Sequence, residues 1–250
     1  MRRIKIELSY DGTNYKGWQT QPDVPTIQNS LEVLLSKITG ERISVIGSGR
    51  TDAGVHAIKQ VAAFNTESKL NTIVFQKALN GLLPFDIRVL GVEEVELSFH
   101  PIRSAISKRY RYLIDDNSPS CPMTRNYCWI CKERINLEVM DCAGKFLLGE
   151  HDFSSFQTTG SPKKTTVRTI LDVKVERFEG LLFYPSFVCI EVEATGFLYN
   201  MMRSIVGTLV MLTRLNCPES MREIINSCSR SAAGQTAPPQ GLYLLNVKYK

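Results

Sequence analysis

The chain has 250 residues, 43% of them apolar and 22% charged. That is the make-up of a folded globular protein, not of a disordered, collagen-like or disulfide-stapled one. Lys and Arg number 30 against 25 Asp and Glu, a net charge of +5, which permits a polyanionic partner without demanding one. No run approaches the ~20 apolar residues of a membrane-spanning helix, and the first residues lack a signal-peptide apolar core. Seven cysteines without framework spacing fit reduced thiols and a cytoplasmic location.

The hydrophobic period switches between two and 3.6 along the chain. Ile4, Ile6 and Leu8 alternate as a strand. Thr26 is placed to cap a helix with the stripe Ile27, Leu31, Leu34, Leu35 and Ile38, stopped by Gly40. Ile43 and Val45 start a second strand that runs into Gly47-Ser48-Gly49. Residues 58–65 and 86–92 read as extended, with a helix near 72–82 between them. After His100 a similar order begins again. Tyr110, Tyr112 and Ile114 share one face of a strand, and Arg109 and Arg111 take the other. Asn136 caps a helix carrying Leu137, Met140 and Leu147, stopped by Gly149. Leu171, Val173 and Val175 alternate, as do Val188, Ile190 and Val192. Two helices follow. The first repeats apolar pairs from Phe197/Leu198 to Leu209/Val210, and the second has Pro218 in its first turn and Met221, Ile224, Ile225 and Cys228 on one face. Residues 231–241 form a long loop, and Tyr243, Leu245, Val247 and Tyr249 close the chain as a strand.

Successive strands joined by short turns, without strict βαβ alternation, predict an α+β fold with mostly antiparallel sheet. The expected division is into two halves, residues 1–104 and 105–250.

Candidate chemistry concentrates in Gly47-Ser48-Gly49-Arg50-Thr51-Asp52-Ala53-Gly54-Val55-His56. The plain reading is a tight turn in which Gly54 supplies a positive φ. A dinucleotide loop is excluded, because the third glycine of G-x-G-x-x-G falls on Asp52. The functional reading is a carboxylate, Asp52, and a guanidinium, Arg50, on a rigid loop with glycines on both sides. There the carboxylate can serve as nucleophile or base. The run Arg103–Tyr112 has four basic residues, two tyrosines and no acid. It reads either as a solvated edge strand or as cations for phosphates with an aromatic for a base. Arg203 stands beside the apolar stripe of a helix. It either snorkels to water or needs an anion, and Asp52 would serve. Cys128 and Cys131 would point to opposite faces of a strand, and His56, His100 and His151 are scattered, so no metal site is expected. A non-catalytic RNA-binding protein fits the charge but not a carboxylate in the loop. A carboxylate-dependent glycosidase or nuclease would want a second acid or a metal cluster near Asp52.

Gly49–His56, Lys108-Arg109-Tyr110-Arg111-Tyr112, Gly149–Phe156, Gly196-Phe197-Leu198-Tyr199-Asn200-Met201-Met202-Arg203 and Gly241–Leu244 together resemble the tRNA pseudouridine synthase A family. The start, Tyr10-Asp11-Gly12 through Gly17-Trp18-Gln19, is similar too. The matches are collinear over nearly the whole chain. The resemblance implies two α+β, ferredoxin-like or RRM-like halves forming one extended, mostly antiparallel sheet flanked by helices, with the active-site cleft between them. It implies a homodimer that isomerises uridine in the anticodon stem-loop of tRNA, at positions 38 to 40 in the family, without metal or cofactor. It assigns Asp52 as nucleophile, Tyr110 as the ring stacked on the target uracil, Arg203 as the partner of Asp52 and Arg50 as a holder of the displaced nucleotide. It adds Lys108, Arg109, Arg111, Trp18 and Gln19 as further RNA contacts. Whether the carboxylate attacks C1′, attacks C6 or draws off a ribose proton to give a glycal stays open at this stage.

Overall fold

The computed structural model describes residues 1–158, 165–178 and 186–250. These fall into two compact units, Met1–Ile106 with Tyr243–Lys250, and Ser107–Leu242. Among the described residues no helix is long and apolar enough to cross a membrane.

The first unit contains β1 (Arg2–Tyr10), α1 (Ile27–Thr39), β2 (Ile46–Gly47), β3 (His56–Thr66), α2 (Thr72–Leu82) and β4 (Ile87–Val95). β1 is central and antiparallel to both neighbours. It pairs with β3 from Arg2↔Thr66 to Tyr10↔Ala57 and with β4 from Arg3↔Val95 to Tyr10↔Ile87. The alternation of Ile4, Ile6 and Leu8 puts all three in the core, together with the buried stripes Ile27, Leu31 and Leu35 of α1 and Phe75 and Leu79 of α2. Phe64 of β3 meets Phe75 edge to face, with ring centroids 5.8 Å apart. Thr26 caps α1 through its hydroxyl, which accepts from Asn29 N–H, and Gly40 ends the helix at φ 73°.

The strand expected from Ile43 shrinks to two residues. The cause lies in α1. Ser36 Oγ takes the N–H of Ile43, and Glu32 Oε1 takes the N–H of Val45. Side chains thus satisfy the backbone donors that a ladder would have used.

In the second unit β5 (Ala105–Asp115) is followed by β6 (Trp129–Ile130), α3 (Leu137–Lys145), β7 (Gly149–Asp152), β8 (Val167–Phe178), β9 (Phe187–Ala194), α4 (Met201–Leu215) and α5 (Ser220–Ser227). The sheet order is β5-β9-β8-β7, antiparallel throughout, with β6 parallel to the end of β5. Asn136 caps α3 by accepting from Glu138 and Val139 N–H. That helix ends before Leu147, and Gly149, at φ 99°, opens β7 instead of closing the helix. α4 begins at Met201, later than the apolar pairs suggest, because Asn200 adopts a left-handed conformation at φ 59°.

The last strand, β10 (Leu242–Tyr249), corrects the expected division. It pairs in parallel with β3 at Tyr243↔His56 and Leu244↔Ala57, so Tyr243–Lys250 belongs to the first unit. Each unit is α+β with mostly antiparallel strands, as expected. None of the seven cysteines is in a disulfide.

The loop 231–241 is strapped along α4. Gly234 N–H donates to Thr208 Oγ1 at 2.9 Å, and a Cβ on Gly207 would stand 1.7 Å from Gln235 O. Gly207→Ala must therefore push the strap off the helix. We expect it to cost about 1–3 kcal/mol by overpacking, measured by urea unfolding.

Candidate active site

The loop between β2 and β3 is a clamped turn. Val55 N–H donates to Asp52 O at 3.1 Å, and Gly54 has φ 78°, the value a glycine is needed for. From one side Trp18 N–H donates to Thr51 O at 3.0 Å and Gly54 N–H to Tyr15 O at 3.3 Å. Gly12 and Gly17 make this close approach possible. A Cβ on Gly12 would lie 2.0 Å from Val55 O, and one on Gly17 2.6 Å from Thr51 O. Beneath the turn, His56 is buried, accepts Gly12 N–H on Nδ1 at 3.0 Å and stacks on Tyr243 with ring centroids 4.8 Å apart.

The core side of the loop is held by polar contacts that the sequence did not reveal. Tyr10 Oη and Thr51 Oγ1 share a hydrogen bond of 2.8 Å. Gln60 is completely buried. Its Oε1 accepts from Ser48 Oγ at 2.6 Å and from Val61 N–H at 3.1 Å, and its Nε2 donates to Gly49 O at 2.9 Å. One amide therefore ties the first leg of the loop to β3, while Tyr10 ties the second leg to β1. Burial pushes the Tyr10 phenol up to about 12, so it remains protonated and able to donate. The only hint in the sequence was an amide within the apolar run of β3. On this scaffold Asp52 is half-buried and Arg50 is exposed.

Tyr10→Phe removes one hydroxyl from this clamp and leaves Thr51 with a lost partner. We expect a loss of about 1 kcal/mol, or a fall of about 3 °C in Tm. A drop in kcat of about tenfold, from misplacing the loop, should accompany it, with KM for the RNA unchanged. Calorimetry and steady-state kinetics check the two parts.

Trp18 is corrected. It is only 2% exposed, and its indole lies over Gly47, where a Cβ would come within 2.6 Å of the ring. It supports the loop from inside and offers no ring to RNA. Gln19, next to it, is exposed.

In the second unit Tyr110 stands opposite Val192 and meets Phe197 edge to face at 4.8 Å, with 8% of its surface exposed. Tyr112, on the same face, is fully buried and donates to Pro238 O at 2.6 Å. Lys108 shares that side of the strand and is half-buried. Arg109 and Arg111 face the other way. Arg109 bonds Glu193, Glu191 and Asp172 at 2.6–3.2 Å, and Arg111 bonds Glu191 at 2.6 Å and lies over Phe178. Burial alone would lower the pKa of Arg109, but the carboxylates of Glu193, Asp172 and Glu191 hold it above the ordinary arginine value. Guanidinium groups already matched by carboxylates have little charge left for phosphates. Both belong to a sheet-face ion-pair network.

Arg203, in the first turn of α4, is fixed from the strap. Nε donates to Ala237 O at 2.8 Å and Nη1 to Asn200 Oδ1 at 2.9 Å, while Ala237 N–H returns a bond to Arg203 O. The left-handed Asn200 thus serves the arginine as well as the helix start.

Across known proteins, the family model described as tRNA pseudouridine synthase matches residues 8–102 and 143–250. The chain is 46% identical to tRNA pseudouridine synthase A of Thermoanaerobacter sp. (strain X514) and 43% identical to that of Acetivibrio thermocellus, in both cases over 100% of each chain. It is 44% identical to tRNA pseudouridine synthase A of Maridesulfovibrio salexigens, over 100% of this chain and 91% of that protein. The chain belongs to the tRNA pseudouridine synthase family, a class of isomerases acting on tRNA.

Proposed function

We propose that this chain converts uridine to pseudouridine in the anticodon stem-loop of tRNA, at positions 38 to 40, with Asp52 as the nucleophile. The observation that carries the reading is the Asp52 turn, a single carboxylate beside the exposed Arg50 on a loop clamped by Tyr10, Thr51 and Gln60. Tyr110 is the ring that stacks on the target uracil, and Arg50 and Arg203 are the cations of the substrate site. Lys108 and Gln19 are outer contacts.

The reaction breaks N1–C1′, turns the base and joins C5 to C1′. It is redox-neutral and adds no outside atom. A uridine within a stem is paired and stacked, so it must first be flipped out at a cost of a few kcal/mol. Phosphate contacts to cations and stacking on an aromatic, worth about 1–3 kcal/mol per base, offset that cost. Attack at C1′, attack at C6 and glycal formation all start at this carboxylate, and all end with loss of the C5 proton to water. The reading includes a cytoplasmic location and a homodimer, and sedimentation of the purified protein tests the homodimer.

Incubation with tRNA tritiated at uracil C5 tests the chemistry. Tritium should appear in water in step with pseudouridine in the anticodon arm. Free uracil in place of pseudouridine would make the protein a glycosidase and overturn the reading.

A further inference from the structure

Phe85 is 95% exposed, the most exposed large apolar side chain among the described residues. It sits at the corner of a turn between α2 and β4 that Ile87 N–H closes onto Pro84 O at 3.1 Å. The guanidinium of Arg88 lies over its ring, 4.9 Å from the centroid. Arg88 is held there by two carbonyls, Pro84 O at 2.8 Å and Ile87 O at 2.7 Å. Both acceptors are neutral, so the cation is fixed in place without its charge being cancelled.

The turn is bonded to the residues that carry the Asp52 loop. Asp86 O accepts Asp11 N–H at 2.9 Å, and Asp86 Oδ1 accepts Tyr15 Oη–H at 2.6 Å. Tyr15 O in turn holds Gly54 N–H, and Gly12 lies against Val55. The carboxylates of the two linking residues, Asp86 and Asp11, have partners of their own. Asp86 faces Tyr15, and Asp11 accepts from the Thr13 backbone and hydroxyl. An exposed ring, a fixed cation at its face and a rigid link to the catalytic turn match the chemistry of a nucleotide, whose base stacks on a ring and whose phosphate meets a cation.

We propose that Phe85 and Arg88 form a second stacking platform, on which an unpaired base of the tRNA substrate lies against the ring with its phosphate near the guanidinium. The platform rests on the tRNA-isomerase reading above and deepens it. It binds RNA outside the reacting nucleotide, so it acts on KM.

The test uses the full-length protein, a C5-tritiated tRNA transcript and three variants. Phe85→Ala should raise KM about tenfold, the loss expected for one stacked base, with kcat changed less than twofold. Phe85→Tyr should restore KM. Phe85→Trp should show emission from the new indole that falls when tRNA is added, at the same midpoint as binding. A wild-type KM in Phe85→Ala, or a loss confined to kcat, overturns the platform. Failure of the wild type to release tritium overturns the functional reading instead, so the two failures are told apart.

Discussion

Asp52→Asn is expected to abolish pseudouridine formation, lowering the single-turnover rate at least ~1000-fold, as removal of a nucleophile does elsewhere. Its fold and its affinity for tRNA should be retained. The amide nearly matches the carboxylate in shape, and the turn is held at several points along its backbone. Trp18 N–H and Tyr10 Oη hold Thr51, Gln60 holds Gly49, and the Asp52 backbone carbonyl accepts from Val55 N–H. A neutral amide cannot attack or deprotonate the nucleoside, while the cations and aromatics that hold RNA are unchanged. Circular dichroism, filter binding and pseudouridine analysis on one preparation separate the three properties.

The largest stability effect should come from Asp116, away from the catalytic loop. Its side chain is wholly buried at the end of β5. Arg177 grips it in a fork, Nη1 to Oδ1 at 2.7 Å and Nη2 to Oδ2 at 2.9 Å, and Arg134 and Ile135 N–H add bonds at 3.2 and 2.9 Å. This cluster pins β5, β8 and the lead into α3 together. Burial would raise the Asp116 pKa, but the Arg177 fork, the Ile135 N–H and the Arg134 charge hold it below the ordinary carboxylate range. A group depressed in the folded state stabilises it fully above the unfolded pKa of about 3.9, and that contribution is lost as pH falls through the lower folded value. Asp116→Ala leaves Arg177 without its carboxylate and should cost about 3–5 kcal/mol at neutral pH, or about 10 °C in Tm. The gap between wild type and variant should close as the pH is lowered below 4, and calorimetry across that range measures it. A change of under 1 kcal/mol at neutral pH would show that the fork is not a significant support.

What the sequence made legible follows from where each signal resides. α1 was readable with both ends because Thr26 and Gly40 act through neighbours in sequence. The Asp52 turn was readable because Gly54 and Asp52 are local turn chemistry. The strand expected at Ile43 was lost to Glu32 and Ser36, which reach it from one helix away. The place of β10 depended on pairing with His56 and Ala57, nearly the whole chain distant. The clamp was hidden for the same reason, since Tyr10 and Thr51 are 41 positions apart. Trp18 was offered as an RNA contact by the family resemblance alone, and only the bare backbone of Gly47 shows where its indole goes. The ion pairs of Arg109 and Arg111 were hidden because their carboxylate partners come from β8 and β9.

The central claim is that residue 52 supplies the carboxylate for the isomerisation. It is tested most directly by mixing tRNA tritiated at C5 with an excess of either wild type or Asp52→Asn and following one turnover with every RNA molecule bound. The account predicts that the wild type releases all the tritium carried by the target uridines of the anticodon arm and that the variant releases none above background. Release by the variant within tenfold of the wild-type rate would contradict it.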